Sequence, residues 1–185
     1  MSKKVLILKG SPRQRGNSSV LADQVRAGAE GAGAEVESVY LHGLDIQPCD
    51  GCYFCEGSGI CAIEDDMQAL YPKLRQTDVL VIASPVYWFT FSAQVKLCID
   101  RWLALETKGG SQLAGKQVGI VLTYGDSDLH TSGGINAIHT FQSMFDYIGA
   151  EIVGTVHGTG NKAGEVKEQP ELMDRAFKLG QQLAT

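Results

Sequence analysis

Four cysteines crowd into one short stretch of the sequence. Residues 48–67 read PCDGCYFCEGSGICAIEDDM, and the four are Cys49, Cys52, Cys55 and Cys61. The C-x2-C-x2-C spacing brings three thiolates together on a tight loop, as ferredoxin-type [4Fe-4S] sites require, and Cys61 follows closely enough to return as a fourth ligand. The spacing therefore predicts an iron-sulfur ligand loop over residues 48–65.

Other chemistries of the same thiols stay open. A structural zinc site also uses four thiolates, although zinc ribbons favour two C-x2-C pairs that lie far apart. A disulfide formed on oxidation is another interpretation, and free thiols at the entrance of a substrate site are a third. The remaining cysteine, Cys98, lies between Leu97 and Ile99 in an apolar segment, so we expect a buried hydrophobic residue there.

A second segment has the residue types that bind an anion. Residues 9–25 read KGSPRQRGNSSVLADQV, directly after the first apolar run. Asn17 is a favourable helix N-cap, and the start of a helix offers unpaired N–H groups and a positive dipole end. The segment has neither G-x-G-x-x-G nor G-K-[ST], which favours a mononucleotide phosphate; an ordinary capped turn is the alternative. The candidate phosphate contacts are Ser11, Arg13, Asn17, Ser18 and Ser19.

Four aromatic residues follow the third apolar run. Residues 83–96 read ASPVYWFTFSAQVK. At the ligand-binding edge of a sheet, such side chains stack on a planar, electron-poor ring while backbone amides contact its edge. The alternative is a place in the core or at a subunit interface, which we expect for Phe91. The candidate ring contacts are Pro85, Val86, Tyr87, Trp88 and Phe89.

A glycine-rich loop follows the fourth apolar run. Residues 123–141 read TYGDSDLHTSGGINAIHTF, and Tyr124 and Gly125 at its start are candidate ligand contacts. A solvated loop is the alternative for the rest. No role follows for the polar residues Asp126, Asp128 and His130, and His130 is expected on the surface. The other histidines, His42, His139 and His157, are expected to be structural.

Strand-length apolar runs alternate with segments of helical spacing. Strands are predicted at 5–8, 36–41, 79–84, 118–124 and 151–156, and helices at 17–32, 66–76, 92–104, 135–148 and 169–184. The alternation implies parallel strands joined by right-handed crossovers, and nearly continuous apolar strands imply cover on both faces. The prediction is one α/β domain over residues 1–185, a three-layer doubly wound sandwich with a five-stranded parallel sheet. Asp66 is expected to cap the second helix, and neither Asp65 nor Asp66 needs a chemical role.

The composition is that of a soluble globular protein. The 185 residues are 44% hydrophobic and 20% charged, with a net charge of -5. The scattered basic residues form no electrostatic footprint for nucleic acid or an anionic membrane. The apolar run near the N-terminus is shorter than a secretory signal or a membrane span requires, so we expect a cytoplasmic location. In that reducing compartment, clustered thiols favour metal ligands or redox groups over a disulfide framework.

Three segments together resemble a known group of flavoproteins. They are GSPRQRGNSS, CDGCYFCEGSGICAIEDDM and ASPVYWFTFSAQVKLCIDR. In this order they are similar to the signatures of flavodoxin-like NADPH-dependent FMN reductases and, more closely, of iron-sulfur flavoproteins. The resemblance is best over residues 4–104. It implies non-covalent FMN, with its phosphate in the Ser11–Ser19 loop and its ring against the Pro85–Thr90 loop. It also implies a homodimer or homotetramer with the flavin near a subunit interface.

Three functions are compatible with this resemblance. The first is an FMN-dependent redox flavoprotein whose [4Fe-4S] cluster passes single electrons between a ferredoxin-like donor and the flavin, with no side chain acting as nucleophile or general base. The second is an NAD(P)H-dependent reductase of flavin, quinone, nitro or azo compounds that has no cluster. The third is a flavodoxin-like electron carrier, against which the weak net acidity counts. No nucleic-acid or membrane partner is expected.

Overall fold

A parallel β-sheet forms the centre of the computed structural model, which describes residues 2–185. The strands are β1 Lys4–Lys9, β2 Glu35–Tyr40, β3 Val79–Tyr87, β4 Thr90–Phe91, β5 Glu106–Thr107, β6 Gly110–Ser111, β7 Gln117–Tyr124 and β8 Glu151–Thr159. The order across the sheet is β2-β1-β3-β7-β8, and each neighbouring pair in it is parallel. β4 pairs with the end of β3, while β5 and β6 form a separate hairpin. The doubly wound, flavodoxin-like prediction is confirmed.

Helices cover both faces of the sheet. They are α1 Asn17–Gly31, α2 Met67–Gln76, α3 Ala93–Asp100, α4 Gly134–Ile148 and α5 Pro170–Ala184. Side chains alternate along β1, so Val5 and Ile7 pack towards α1 and α5, whereas Leu6 and Leu8 pack into the core beneath α2, α3 and α4. This alternation gives the sheet an apolar core on each face, which makes three layers. No helix in residues 2–185 is long and apolar enough to cross a membrane.

Three elements differ by three or more residues from the sequence-based boundaries. β8 continues past residue 156 to Thr159. β3 continues past residue 84 to Tyr87, because it turns there into an antiparallel hairpin with β4. The third helix ends at Asp100, and Arg101–Leu105 forms a tighter 3-10 turn. At that point the Arg101 carbonyl accepts a hydrogen bond from the buried Tyr71 hydroxyl at 3.0 Å, in place of a bond from a later N–H of an α-helix.

Neither of the two predicted N-cap side chains makes a capping hydrogen bond, although Asp66 occupies the predicted position. Asn17 is the first residue of α1 rather than its cap, and its side-chain oxygen accepts from the distant Val166 N–H at 3.4 Å. Asp66 stands at the cap position of α2, but its carboxylate accepts from the Asp45 N–H at 2.7 Å and not from the helix. Asp65 takes the helical N–H instead, that of Met67, at 3.0 Å. The burial expected of Phe91 and Cys98 is confirmed.

Candidate functional site

The carboxyl ends of β1, β3, β7 and β8 border one cavity of about 310 Å³, which we call the cradle. Most of the residues singled out in the sequence line it, namely Ser11, Arg13, Asn17, Ser18, Pro85, Val86, Tyr87, Tyr124 and Gly125. Four further residues complete the lining, namely Gly16, Thr123, Gly160 and Asn161. Ser19 lies outside it, because its buried hydroxyl turns to the Arg13 carbonyl at 3.4 Å. Parallel strands that end at one edge therefore bring together residues from the whole length of the chain.

The loop between β1 and α1 presents hydrogen-bond donors to the cradle. It is held by the Arg13 N–H, which donates to Ser11 Oγ at 3.1 Å, and by the Tyr40 hydroxyl, which donates to the Pro12 carbonyl at 2.7 Å. The first turn of α1 adds N–H groups that have no partner within the helix. The Ser18 hydroxyl is buried and has no hydrogen-bond partner among residues 2–185. An anion of phosphate size fits this donor set.

Two glycines keep the cradle open. A Cβ atom at Gly16 would lie 2.4 Å from Ser11 Oγ, and one at Gly160 would lie 2.5 Å from Asn17 Nδ2. Both contacts are shorter than side chains tolerate, so any larger residue would displace a polar group that faces the cavity. Gly160 and Asn161 directly follow β8, and Thr123 lies near the end of β7. Ligands of such sheets bind beyond the carboxyl ends of the strands, so this rule would have identified Thr123, Gly160 and Asn161 as candidates from the sequence.

The aromatic hairpin, residues 86–91, carries unusual backbone strain. Val86 pairs with Phe91 and Tyr87 with Thr90, which leaves Trp88 and Phe89 as a two-residue turn. Their φ angles are +45° and +66°. Such turns favour Asn-Gly, and a non-glycine residue in this region costs about 1–3 kcal/mol. Trp88 is also 93% exposed. Strain of this kind is concentrated at ligand sites, which supports a role for the hairpin tip.

Hydrogen bonds fasten the aromatic hairpin to the neighbouring strand ends. The Ser92 N–H donates to Ser84 Oγ at 2.9 Å, and the Ser92 hydroxyl donates to the Gly10 carbonyl at 2.7 Å. On the other side, Phe89 lies so close to Gly133 that a Cβ there would be 2.3 Å from Phe89 Cδ1. The hairpin is thus fixed to the loops that follow β1 and β7.

A second cavity of about 560 Å³ adjoins the cradle, and Trp88 and Phe89 line it. The two cavities share Val86, Tyr87, Tyr124 and Gly125, and the loop after β7 closes the second one with Asp126, Thr131 and Ser132. This arrangement leaves apolar, aromatic space beside the polar cradle. A planar molecule in one cavity would lie next to a second molecule in the other.

Two polar groups near these cavities have shifted pKa values. Hydrogen bonds from Thr131 and from the His130 N–H lower the pKa of Asp128 to about 2. Through the same hydrogen bonds, the Asp128 carboxylate holds together the loop that follows β7. Burial lowers the pKa of His157, whose Nδ1 lies 3.0 Å from the Tyr124 hydroxyl in the cradle wall. His157 was expected to be structural, and it positions Tyr124. His130 is exposed, as expected.

The cysteine loop, residues 48–65, holds four free thiols in different environments. Cys49 and Cys52 are exposed, Cys55 is buried and Cys61 is partly buried. The backbone curls through left-handed conformations at Gly51, Tyr53, Gly57 and Gly59. In residues 2–185, no group of three or more His, Cys, Asp or Glu side chains is arranged to hold a metal ion. The thiols fit an iron-sulfur cluster in kind and number, but they do not converge on one point.

A buried ion pair lies beneath the cysteine loop. Arg101 binds Asp65, both side chains are 1% exposed, and Arg101 Nη2 donates to Cys61 Sγ at 3.2 Å. Burial raises the pKa of the Cys61 thiol, but hydrogen bonds from the Ile63 N–H, Arg101 and Tyr71 outweigh it, and the pKa lies below its usual value. Burial raises the pKa of Cys55. Asp65 was expected to need no chemical role, and the structure gives it a structural one, because its carboxylate neutralises a buried guanidinium.

Comparisons with known proteins bear on the family and the fold of this chain. Residues 3–164 match the family model of NADPH-dependent FMN reductases. A Bacillus subtilis protein named as an NAD(P)H-dependent FMN-containing oxidoreductase is 28% identical over 95% of this chain and 96% of its own. An iron-sulfur flavoprotein of Methanocaldococcus jannaschii is 31% identical over 98% of this chain and 95% of its own. The solved NAD(P)H:quinone oxidoreductase of Methanothermobacter marburgensis has the same fold, with a TM-score of 0.78, 18% identity, and coverage of 100% of this chain and 98% of that one.

Proposed function

This chain belongs to the NADPH-dependent FMN reductase family, and from that premise we propose that FMN binds in the cradle and that electrons pass through it. The phosphate would lie against the first turn of α1, within reach of Ser11, Arg13 and Ser18. The observation that carries this placement is the buried Ser18 hydroxyl without a partner among the described residues, beside the free N–H groups of α1. The ring would lie along Pro85, Val86 and the aromatic hairpin.

Bound FMN supplies electron transfer in single or paired steps, so the protein has to bind, orient and shield the reactants. The hairpin tip places Trp88 and Phe89 over the second cavity, where they exclude water from an acceptor or donor. Tyr124 stands between the two cavities, and His157 holds its hydroxyl. No side chain has to act as a nucleophile or a general base.

The cysteine loop is the second part of the proposal. Cys49, Cys52, Cys55 and Cys61 would ligate a [4Fe-4S] cluster, which would supply single electrons from a ferredoxin-type donor. Support comes from the number and spacing of the thiols and from the M. jannaschii relative that is named an iron-sulfur flavoprotein. The resulting activity is that of an FMN-dependent electron-transfer oxidoreductase.

The second candidate function is NAD(P)H-dependent reduction of quinone, nitro or azo compounds without a cluster. The specific observation in its favour is the aromatic cavity beside the cradle, which has room for a nicotinamide or a planar acceptor. The name of the B. subtilis relative gives the nicotinamide dependence, as an NAD(P)H-dependent FMN-containing oxidoreductase. The two candidates differ in the electron donor: nicotinamides reduce the flavin rapidly in the second and slowly in the first.

The deciding measurement is the content of iron, acid-labile sulfide and FMN per chain in protein purified without oxygen. About four irons and four sulfides with FMN present are expected for one [4Fe-4S] cluster. FMN without iron or sulfide, even after anaerobic reconstitution, would leave the nicotinamide-dependent reductase. A protein that takes up no FMN would contradict both candidates.

Substitution of one thiol sharpens this measurement. Cys52→Ser should lose most of the iron and sulfide while it keeps FMN, because the cradle contains no cysteine. Cys98→Ala is the matched control, since Cys98 is a buried cysteine outside residues 48–65 and its loss should leave both contents unchanged. Full iron in Cys52→Ser would remove that residue from the ligand set.

We also propose that the protein is a homodimer or a homotetramer. Trp88 is 93% and Tyr147 84% exposed in the single chain, and large exposed aromatic residues are enriched at subunit interfaces. Light scattering of the FMN-bound protein tests this, and a monomer at micromolar concentration would contradict it.

A further inference from the structure

We infer that Arg101 is a positioning residue that closes the cysteine loop for cluster binding. The inference rests on the proposed cluster, and it concerns a residue outside the four thiols. Arg101 directly follows α3, far from the loop in sequence, yet its guanidinium lies beneath the loop. The argument depends on which parts of the loop this one group joins.

The guanidinium binds both ends of the loop at once. Nη1 donates to the carbonyl of Gln47 at 2.9 Å, and Gln47 precedes the first cysteine of the loop. Nη2 donates to Cys61 Sγ and to the Ile63 carbonyl, each at 3.2 Å, and both nitrogens bind the Asp65 carboxylate. Because all four cysteines lie between Gln47 and Ile63, Arg101 closes the segment that contains the whole proposed ligand set.

Asp65 completes this closure from the other side. Its carboxylate accepts from the Gln47 N–H at 2.8 Å and from the Met67 N–H at 3.0 Å, so it too joins the start of the loop to its end. The planar fork of an arginine can serve these acceptors simultaneously, whereas a lysine ammonium acts as a single point. Arg101 Nε has no hydrogen-bond partner in the described part of the chain, so the polypeptide does not fully satisfy the buried guanidinium.

Between its fixed ends, the loop is held by local backbone hydrogen bonds and by two side chains of α2, Arg75 on the Gly59 carbonyl and Gln68 on the Cys61 carbonyl, each at 3.0 Å. The Glu56 N–H donates to the Tyr53 carbonyl and the Gly59 N–H to the Cys55 carbonyl, each at 2.9 Å. Tyr53 and Phe54 are largely exposed. Joining the ends of a chain segment removes the loop-closure part of the conformational entropy that the segment would otherwise lose on binding a metal group. Closure by Arg101 therefore favours convergence of the thiols on a cluster, even though they are not yet gathered in the chain alone.

Arg101 also touches a ligand directly. An N–H donated to a cluster thiolate stabilises the more negative, reduced form, so it raises the reduction potential. This effect separates a cluster-positioning residue from a purely structural one, because a structural ion pair would change stability and leave the potential unchanged.

The test compares Arg101→Lys and Arg101→Met with Arg75→Met, all purified without oxygen. Arg75 is the matched control because it also touches the loop, through one hydrogen bond to the Gly59 carbonyl at 3.0 Å, but it does not join the two ends. Iron, sulfide and FMN per chain, the reduction potential of any cluster, and amide hydrogen exchange over residues 48–62 of the metal-free protein are measured.

The expected result is a severalfold loss of iron and sulfide in both Arg101 variants, with FMN retained, a lower potential of the residual cluster and about tenfold faster exchange in the loop. Arg75→Met should stay close to the wild type in all of these. Arg101→Lys decides the matter if Arg101→Met fails to bind FMN, because lysine keeps the buried charge.

Full iron, an unchanged potential or unchanged exchange in Arg101→Lys would overturn the inference, and so would an equal loss in Arg75→Met. A wild-type protein that holds FMN but no iron after reconstitution would overturn the cluster proposal, and this inference with it. That outcome is recognised in the wild type alone, so the two failures are distinguishable.

Discussion

The cradle and the cysteine loop are built in opposite ways. Four strand ends fix the cradle, and its groups come from the backbone, from short side chains, from Tyr87 and Tyr124, and from one exposed arginine, Arg13. The cysteine loop has an irregular backbone, and one buried ion pair, Arg101–Asp65, joins its two ends. A site on a sheet edge inherits its geometry from the whole core, whereas a site on a loop depends on a few contacts.

The two regions also differ in the kind of charge they carry. The cradle offers partial positive charge from the N–H groups of α1. Because the core already positions α1, placing this charge in the site needs little additional free energy. The loop holds full charges away from water, and burying an ion is expensive unless the partner stays in place. Loss of a single residue should therefore affect the loop region more than the cradle.

The largest effect is expected from Asp65→Ala. This substitution leaves the Arg101 guanidinium buried without its counter-ion and should lower the free energy of unfolding by about 3–5 kcal/mol. Asp66→Ala is the matched neighbour, because Asp66 is exposed and accepts one hydrogen bond, and its loss should be about 1 kcal/mol. Urea unfolding of the metal-free proteins measures both. Equal losses in the two variants would contradict the special weight given to the ion pair.

The same comparison has a pH dependence. Burial would raise the pKa of Asp65, but hydrogen bonds from Arg101 and from the Gln47 and Met67 N–H groups outweigh it, so the pKa lies below its usual value. The carboxylate therefore contributes stability above the unfolded-state pKa of about 4, and this contribution is lost as the pH falls through the lower folded-state pKa. The gap in unfolding free energy between wild type and Asp65→Ala should be constant from pH 7 to 5 and narrow below pH 4. A gap that widened with acid would reverse the sign of the pKa shift.

A smaller effect is expected from Gly16→Ala in the cradle. The added Cβ would lie 2.4 Å from Ser11 Oγ, so the serine hydroxyl has to move away from the proposed phosphate position. The dissociation constant of FMN should rise about tenfold, equivalent to about 1.4 kcal/mol, while stability stays close to the wild type. Fluorescence titration of the metal-free protein with FMN measures the constant.

Gly31→Ala is the control on the same helix. Among residues 2–185, nothing lies within 4 Å of a Cβ at Gly31, so FMN affinity should not change. Helix propensity favours alanine by up to about 1 kcal/mol in a helix interior, and less is expected at this last residue of α1. Unchanged FMN affinity in Gly16→Ala would place the phosphate elsewhere.

The sequence predicted the cradle better than the loop, and the reason is periodicity. Alternating apolar runs define strands and helices locally. Because the carboxyl ends of parallel strands meet at one edge of the sheet, Ser11, Tyr87 and Tyr124 are then expected at that edge. The Arg101–Asp65 pair joins residues far apart in the chain and leaves no local pattern, so Asp65 read as part of a helix start. The closeness of Gly160 to Asn17 is equally non-local. A pairing that depends on tertiary packing is visible only once the layers are assembled.

The last comparison concerns a gain in stability, which is expected from Trp88→Asn. Trp88 is 93% exposed with φ +45°, so it contributes backbone strain and almost no packing to the single chain. Asparagine tolerates this conformation, and the FMN-free protein should become more stable by about 1 kcal/mol, the lower end of the cost of such strain. Tyr147→Asn is the control, because Tyr147 is equally exposed but lies within α4, where asparagine should be neutral or slightly destabilising. If Trp88→Asn gains stability and binds FMN or a quinone more weakly, the hairpin tip is strained for the sake of its ligand. If Trp88→Asn loses stability, packing of the tryptophan imposes the turn. The strain at the hairpin tip would then have no functional role, and the difference between the cradle and the cysteine loop would rest on the strand ends and the Arg101–Asp65 pair alone.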